Sequence, residues 1–195
     1  MNAFPFSASD LLADRTLTGS EFCRALTERT DAFLVDVFEA GGPPDATALV
    51  GVGGYGRREL CPGSDIDVVL LTGPNVDVSD FAQSLWYPLW DAGFKLGHQV
   101  GTVEQILDVA DGDLDTATSL LAARYVAGNT GLATELADGG RDQWMGSAEA
   151  NLEALTTRVE ERHGQHGEVA FRLEPELKEG RGGLRDVHSL AWAEA

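Results

Sequence analysis

The sequence predicts an α/β (α+β) chain: a small mixed sheet flanked by helices, with an N-terminal helix and a C-terminal helical extension. Three observations lead there. Two short apolar runs, "ATALVGV" (46–52) and "DIDVVLLT" (65–72), have the length and composition of buried strands. Longer segments around them repeat apolar residues at helical spacing. Only a glycine-rich connection joins the two runs, too short for a packed crossover helix. With 195 residues, 43% of them hydrophobic, the chain can bury one core, or one core and the start of a second.

The elements divide into three stretches. Residues 1–45 form an N-terminal helical segment: Thr18-Gly19-Ser20-Glu21 reads as a capping box, and Phe22, Leu26, Phe33 and Val37 fall near one face. Gly41-Gly42-Pro43-Pro44 ends it. Residues 46–140 form the central domain. The two runs are its first strands, and a helix follows over 79–93 with Phe81, Leu85 and Leu89 in register and Pro88 kinking it. A third strand spans 94–102. Thr102-Val103-Glu104-Gln105 opens a helix carrying Val103, Ile106, Leu107 and Ala110 on one face, and a helix over 114–127 closes at Gly128-Asn129. Residues 141–195 form a helical extension, with a helix over about 142–163, a loop dense in glycine and charge, and a final helix that stops in mid-pattern, as if the natural protein continued.

Charge narrows the function. Thirty-two acids against fourteen bases give a net charge of −18. Nucleic-acid binding draws on a basic surface, so a large nucleic-acid partner is not expected. A small phosphate ligand held by a few local donors and a metal is compatible. No stretch approaches the ~18 apolar residues of a membrane span, and the opening lacks the basic start and long apolar run of a signal peptide. The expected compartment is the cytoplasm, with no membrane partner. Cys23 and Cys61 show no metal or disulfide spacing, which suits a reducing environment.

The chemistry concentrates in "GVGGYGRRELCPGSDIDVVLL" (51–71). Gly51-Val52-Gly53-Gly54-Tyr55-Gly56 matches G-x-G-x-x-G, but Pro62-Gly63 stops any helix in the eight residues before Asp65. A dinucleotide site needs a crossover helix there, so the context contradicts that reading. Asp65 and Asp67 stand at i and i+2 of a strand, on one side, with Cα atoms roughly 6.5–7 Å apart. Two such carboxylates repel unless a cation joins them, and hard oxygen ligands suit Mg²⁺ completed by substrate phosphate. Gly53 and Gly54 let backbone amides approach a triphosphate; Arg57 neutralises charge and Ser64 offers a hydroxyl. The implied chemistry is nucleotidyl transfer.

These residues resemble a polymerase-β-type nucleotidyltransferase, and more narrowly the amino-terminal domain of the bacterial PII uridylyltransferase/uridylyl-removing enzymes. The resemblance runs on through "LWDAGFKLGHQV", "DLDTATSLLAARYVAG" and "LEPELKEGRGGLRDVHSLAW", covering residues 48–193. It implies a polymerase-β-like fold and Mg²⁺-dependent transfer of UMP from UTP, or of AMP from ATP in some relatives, to a tyrosine hydroxyl of the nitrogen regulatory protein PII. It makes Asp65 and Asp67 the catalytic metal ligands and Gly53 and Gly54 the triphosphate loop. Lys178, Gly182, Gly183, Arg185 and Asp186 match its second motif, which either closes over nucleotide phosphates through Lys178 and Arg185 or clamps a domain junction.

The chain departs from the family in two places. Gly101 stands where the family usually has arginine, and "FKLGHQVGT" offers no third carboxylate, for which Asp113, Asp115 and Glu174 are open alternatives. Two other readings follow: a non-catalytic nucleotide-binding regulatory module, and a relative of glutamine synthetase adenylyltransferase. The family's hydrolase and sensing domains are not carried over. His163 and His166 read as solvated loop residues, and Trp86, Tyr87 and Trp90 as packing between helix and sheet.

Overall fold

In the computed structural model, which describes residues 9–195, helices cover both faces of a four-stranded sheet. Residues 1–8 of the expected N-terminal segment lie outside the described residues. The elements in order are α1 (Ser9–Ala13), α2 (Ser20–Ala40), β1 (Thr47–Gly51), α3 (Gly53–Gly56), β2 (Ile66–Thr72), α4 (Ser79–Asp91), β3 (Leu96–Gly101), α5 (Val103–Gly112), α6 (Leu114–Leu120), β4 (Arg124–Gly128), α7 (Thr130–Gly146), α8 (Ala148–His166), a 3-10 turn (Val169–Phe171) and α9 (Leu184–Ala193). No helix among the described residues is long and apolar enough to cross a membrane.

The strand order is β3-β2-β1-β4, with β1 antiparallel to both neighbours and β2 parallel to β3. The short link after β1 permits only the antiparallel return. The crossover comes one step later, when α4 carries the chain from β2 to β3. Strand alternation then builds two cores. Ile66, Val68 and Leu70 pack with Leu26, Leu34, Phe38, Phe81, Leu85 and Leu89 from α2 and α4. Val69 and Leu71 turn the other way, onto Val103, Ile106, Leu120 and Leu136 of α5, α6 and α7. Each such side chain contributes roughly 1.5–3 kcal/mol by leaving water. Asp67, two residues before Val69, shares that second face at its open end.

Several local expectations change. The stretch 114–127 is not one helix: α6 ends at Leu120, and Arg124–Gly128 pairs with β1 as a fourth strand. Pairing with an otherwise open β1 edge outweighs a helix-compatible pattern. Gly128, at φ +85, makes the close approach possible, since a Cβ there would lie 2.3 Å from the Thr47 carbonyl. Asn129 starts a helix rather than ending one: its side chain accepts from the Gly131 and Leu132 amides and caps α7, which fills the unassigned stretch 130–141 and takes the start of the helix expected over 142–163, the break falling at Ser147. The capping box at 18–21 does not close, because Gly19 takes the N-cap at φ +52 and Thr18 falls outside the helix. The box at Thr102 and Gln105 closes in both directions.

A partly buried polar clamp fixes the turn after β1. Arg124 of β4 donates twice to Asp31 of α2, at 2.8 and 2.9 Å, and its Nε reaches the Gly56 carbonyl at 3.3 Å. The Tyr55 hydroxyl donates to the same Asp31 carboxylate, while the guanidinium lies 5.0 Å from the Tyr55 ring centroid. Burial, followed by the Asp31 charge, pushes the Tyr55 phenol far above its ordinary value, so it stays a donor. Glycine is required around it: a Cβ on Gly56 would sit 2.1 Å from the Ala122 carbonyl oxygen. Gly56→Ala is expected to cost about 1–3 kcal/mol through backbone displacement. Asp31→Ala is expected to cost about 1.5–3 kcal/mol by orphaning a charged donor. Both are read as lower urea midpoints, and an unchanged midpoint would remove that contact from the account.

Candidate active site

The two aspartates are placed by the junction of β1, the glycine turn and β2. The Val52 amide donates to the Asp67 carbonyl at 3.0 Å, so the first residue past β1 is still tied to β2. The chain then turns at Gly53, φ +56, and a Cβ built there would lie 3.4 Å from Asp67 Oδ2. The Asp67 carboxylate therefore faces the bare side of the turn. As the first residues of a helical turn, Gly53 and Gly54 carry amides without intrahelical acceptors. Above Gly54 the nearest group is the Arg57 guanidinium, 3.8 Å from where a Cβ on Gly54 would stand.

Asp65 is exposed just before β2, 3.9 Å from Lys95 Nζ, whereas Asp67 is half-buried. Burial, then the Asp65 charge, raises the Asp67 carboxyl above its ordinary 3.8; Lys178 opposes them. The second motif thus comes within electrostatic range of the first. Asp67 also shapes its neighbour strand: its register partner on β3 is Gly97, where a Cβ would come within 2.2 Å of Asp67 Oδ1. Only a residue without a side chain leaves that carboxylate its place.

Arg57, at the C-cap of α3, donates from Nε to Glu59 at 2.8 Å, and the same Glu59 oxygen lies 3.2 Å from His188 Nε2 on α9. Burial, then the Arg57 charge, lowers the His188 pKa, with Glu59 partly opposing. The shift favours the neutral form of the ring, which rests beside the Glu59 carboxylate. Arg57 is held over the turn by a bridge that ends in the second motif. Ser64 uses its hydroxyl oxygen within its own loop, accepting from the Cys61 amide at 3.0 Å.

The second motif is a self-bonded loop. The Leu184 amide reaches the Leu177 carbonyl at 2.9 Å and the Arg185 amide reaches the Lys178 carbonyl at 2.9 Å, leaving the Lys178 side chain exposed. Arg185 lies 3.5 Å from Glu179 and over the Trp192 ring. Asp186 locks the loop to α8, accepting from the Gly182 amide, Arg162 and His163 at 2.7, 2.5 and 2.8 Å. Burial opposes its charge, but these donors outweigh burial and hold Asp186 at about 2. His163 is thus a helix residue in a clamp, not a solvated loop histidine. Of the three aromatics, Trp86 is buried and both it and the partly exposed Trp90 meet His98 of β3, while Tyr87 is exposed.

Among the described residues no third carboxylate joins the pair. Asp113 caps α6 through Thr116, Asp115 pairs with Arg158 at 3.5 Å, and Glu174 is exposed at the start of the second motif. Among the described residues no group of three His, Cys, Asp or Glu side chains is gathered for a metal. Gln99, partner of Val69, shares the Asp67 face of β3. Gly101 has little room: a Cβ would sit 3.0 Å from the Gln105 oxygen that closes the Thr102 cap.

Sequence reasoning missed Gly97, Glu59 and His188. A glycine inside a strand pattern signals close approach, and Gly97 was readable on that rule. Glu59 and His188, far apart in sequence, carried no such signal.

A raised carboxyl pKa fixes the sign of a pH effect. The protonated group favours the fold, a stabilisation complete below 3.8 and lost as pH rises through the higher folded value. Asp67→Asn is therefore expected to raise the thermal midpoint of metal-free protein at pH 7, with the difference closing in acid. A calorimetric midpoint that falls at pH 7 would contradict the charge strain assigned to Asp67.

The family model described as GlnD PII-uridylyltransferase matches residues 150–195. A bifunctional uridylyltransferase/uridylyl-removing enzyme of Mycobacterium tuberculosis is 45% identical over 164 residues, covering 82% of this chain and 20% of that protein. The Streptomyces coelicolor enzyme of the same name is 42% identical over 183 residues, 92% of this chain and 22% of that one. The Caulobacter vibrioides enzyme is 35% identical over 190 residues, 95% and 20% respectively. A solved toxin–antitoxin structure with AMP-PNP aligns at TM-score 0.43 and 11% identity, over 67% of this chain and 98% of that one. The chain spans about a fifth of the length of these curated relatives. Over the residues they share, the chain is similar to the bifunctional uridylyltransferase/uridylyl-removing enzymes.

Proposed function

We propose that the chain transfers UMP, or AMP, from a nucleoside triphosphate to a tyrosine hydroxyl of the PII signal protein, in the cytoplasm and with Mg²⁺. The observation that carries this is the Asp65–Asp67 pair set against the Gly53 turn with Lys178 in electrostatic range. The residues fit a divalent cation: Asp67 is half-buried, destabilised by a like charge, and offers hard oxygens. When bound there, Mg²⁺ supplies Lewis acidity at the α-phosphate and neutralises the departing pyrophosphate. The amides of Gly53 and Gly54 bind phosphate oxygens, and Arg57, Lys178 and Arg185 offset phosphate charge, with Ser64 as a hydroxyl donor at the loop's end. Gly97 keeps the β3 side of Asp67 free of side chains.

Pyrophosphate release tests the reading, with UTP or ATP and with PII or glutamine synthetase as acceptor. UTP with PII is expected to give turnover, and Asp65→Asn combined with Asp67→Asn to abolish it. Retained turnover would remove both acids from the mechanism. Turnover on glutamine synthetase alone would instead place the chain with the adenylyltransferases. Gly97→Ala is expected to lower the rate by roughly 10²-fold through misplacement of Asp67; a wild-type rate would overturn its assigned role. The missing third carboxylate favours a second reading, a regulatory module that binds triphosphate without turnover. That reading predicts Mg²⁺-dependent calorimetric binding and no pyrophosphate with either acceptor.

A further inference from the structure

Cys23 and Cys61 are 38 positions apart in sequence, yet their sulfurs lie 3.8 Å apart. Cys23 sits on the first turn of α2, and Cys61 lies in the loop between α3 and β2. Both are free thiols; Cys61 is exposed and Cys23 partly covered. Burial, with Cys61 and Glu59 acting in the same direction, pushes the Cys23 thiol up to about 11. The pair therefore divides into an accessible sulfur and a sheltered one held against it.

We propose that Cys23 and Cys61 form an oxidative modification site that takes a peroxide and closes to an intramolecular disulfide. The exposed Cys61 sulfur attacks one peroxide oxygen; the O–O bond breaks, Cys61 becomes a sulfenic acid and one water leaves. Cys23 gives up its proton and attacks the Cys61 sulfur; the S–O bond breaks, a second water leaves and the S–S bond forms. The two thiols lose two electrons and the peroxide gains them.

The fold lets the sulfurs meet. They must approach by roughly 1.8 Å to reach the ~2.0 Å of a disulfide. Cys61 belongs to a turn held by the Ser64 amide on its carbonyl and by its own amide on Ser64 Oγ, outside any strand or helix. Cys23 is near a helix start whose N-cap, Gly19, makes no side-chain bond. Both ends are thus less constrained than a sheet position would be.

The consequence reaches the nucleotide site. The loop that carries Cys61 also carries Glu59, which holds Arg57 and meets His188, and it leads directly into Asp65. A covalent bond to α2 pulls on the bridge over the glycine turn and on the first acid of the pair.

The test treats the whole folded chain with hydrogen peroxide and reads intact mass, iodoacetamide labelling and a non-reducing tryptic map. The expected result is loss of two hydrogens, loss of labelling at both cysteines, and a peptide linking Cys23 to Cys61 that dithiothreitol releases. Cys61→Ser and Cys23→Ser should each abolish the link, and closure should be faster in native buffer than in urea. Sulfinic acid on Cys61 with Cys23 still labelled, an intermolecular Cys61 dimer, or equal closure in urea would each overturn the proposal. None of these readouts uses a nucleotide, so they stand apart from the outcome of the transfer assay.

Discussion

The ion pair between Arg124 and Asp31 is the contact on which the geometry of the glycine turn depends. A turn with Gly51, Gly53, Gly54 and Gly56 can approach a ligand closely, but it has much backbone freedom to lose. Its own glycines offer no side chains to anchor it. The anchorage comes from behind: Tyr55 points inward to Asp31, and Arg124 reaches the Gly56 carbonyl from β4. An ion pair this sheltered carries a desolvation cost that Coulomb attraction alone does not reliably repay. Here further hydrogen bonds to the Gly56 carbonyl and from the Tyr55 hydroxyl add to the pair, so the cluster gives the turn one defined position. The same contact joins α2, α3 and β4, and it explains why a fourth strand matters to a site on the second.

In front of the turn, charge is left unbalanced. Asp67 is half-buried beside Asp65, and Lys178 is the cation that offsets part of this repulsion. The fold tolerates the strain because Asp67 stands at the open end of an otherwise apolar face, beyond Val69 and Leu71. The second motif is built in the opposite way. Asp186 is surrounded by donors and stays ionised far below the usual carboxylate range, so its loop is rigidly tied to α8. One acid is thus spent on structure and one is kept under strain, and that difference in environment separates clamp from site.

What the sequence disclosed follows from how local each signal is. The Asp65–Asp67 spacing, the glycine turn, the helix from Val103 with its capping box and the exclusion of a crossover after Gly56 all depend on neighbours within a few residues. The turn, the Val103 helix with its box and the missing crossover appear in the structure, whereas only Asp67 lies on β2 and Asp65 stands one residue before it. β4 depends on pairing with β1, some seventy-five positions earlier, and no pattern within "ARYVAG" distinguishes that strand from the end of a helix. Gly128-Asn129 carried a real boundary signal, but a cap residue followed by a helix reads much like a helix followed by a stop. Pairing across the sheet also created the need for Gly97, and the Glu59–His188 contact arose from packing α9 against the turn. Residue type alone announced neither.

β3 forms one border of the sheet, and its residues His98, Gln99 and Val100 are exposed. Such a border presents a row of peptide dipoles able to recruit a strand from another molecule. The strand lacks the lysines or prolines that commonly blunt an edge. The surplus of acids elsewhere takes over that duty, since molecules carrying −18 repel one another before two borders can meet. That protection acts over a distance set by salt, about 8 Å at physiological ionic strength. Colloidal behaviour of this chain is therefore governed less by its interior than by the electrolyte around it.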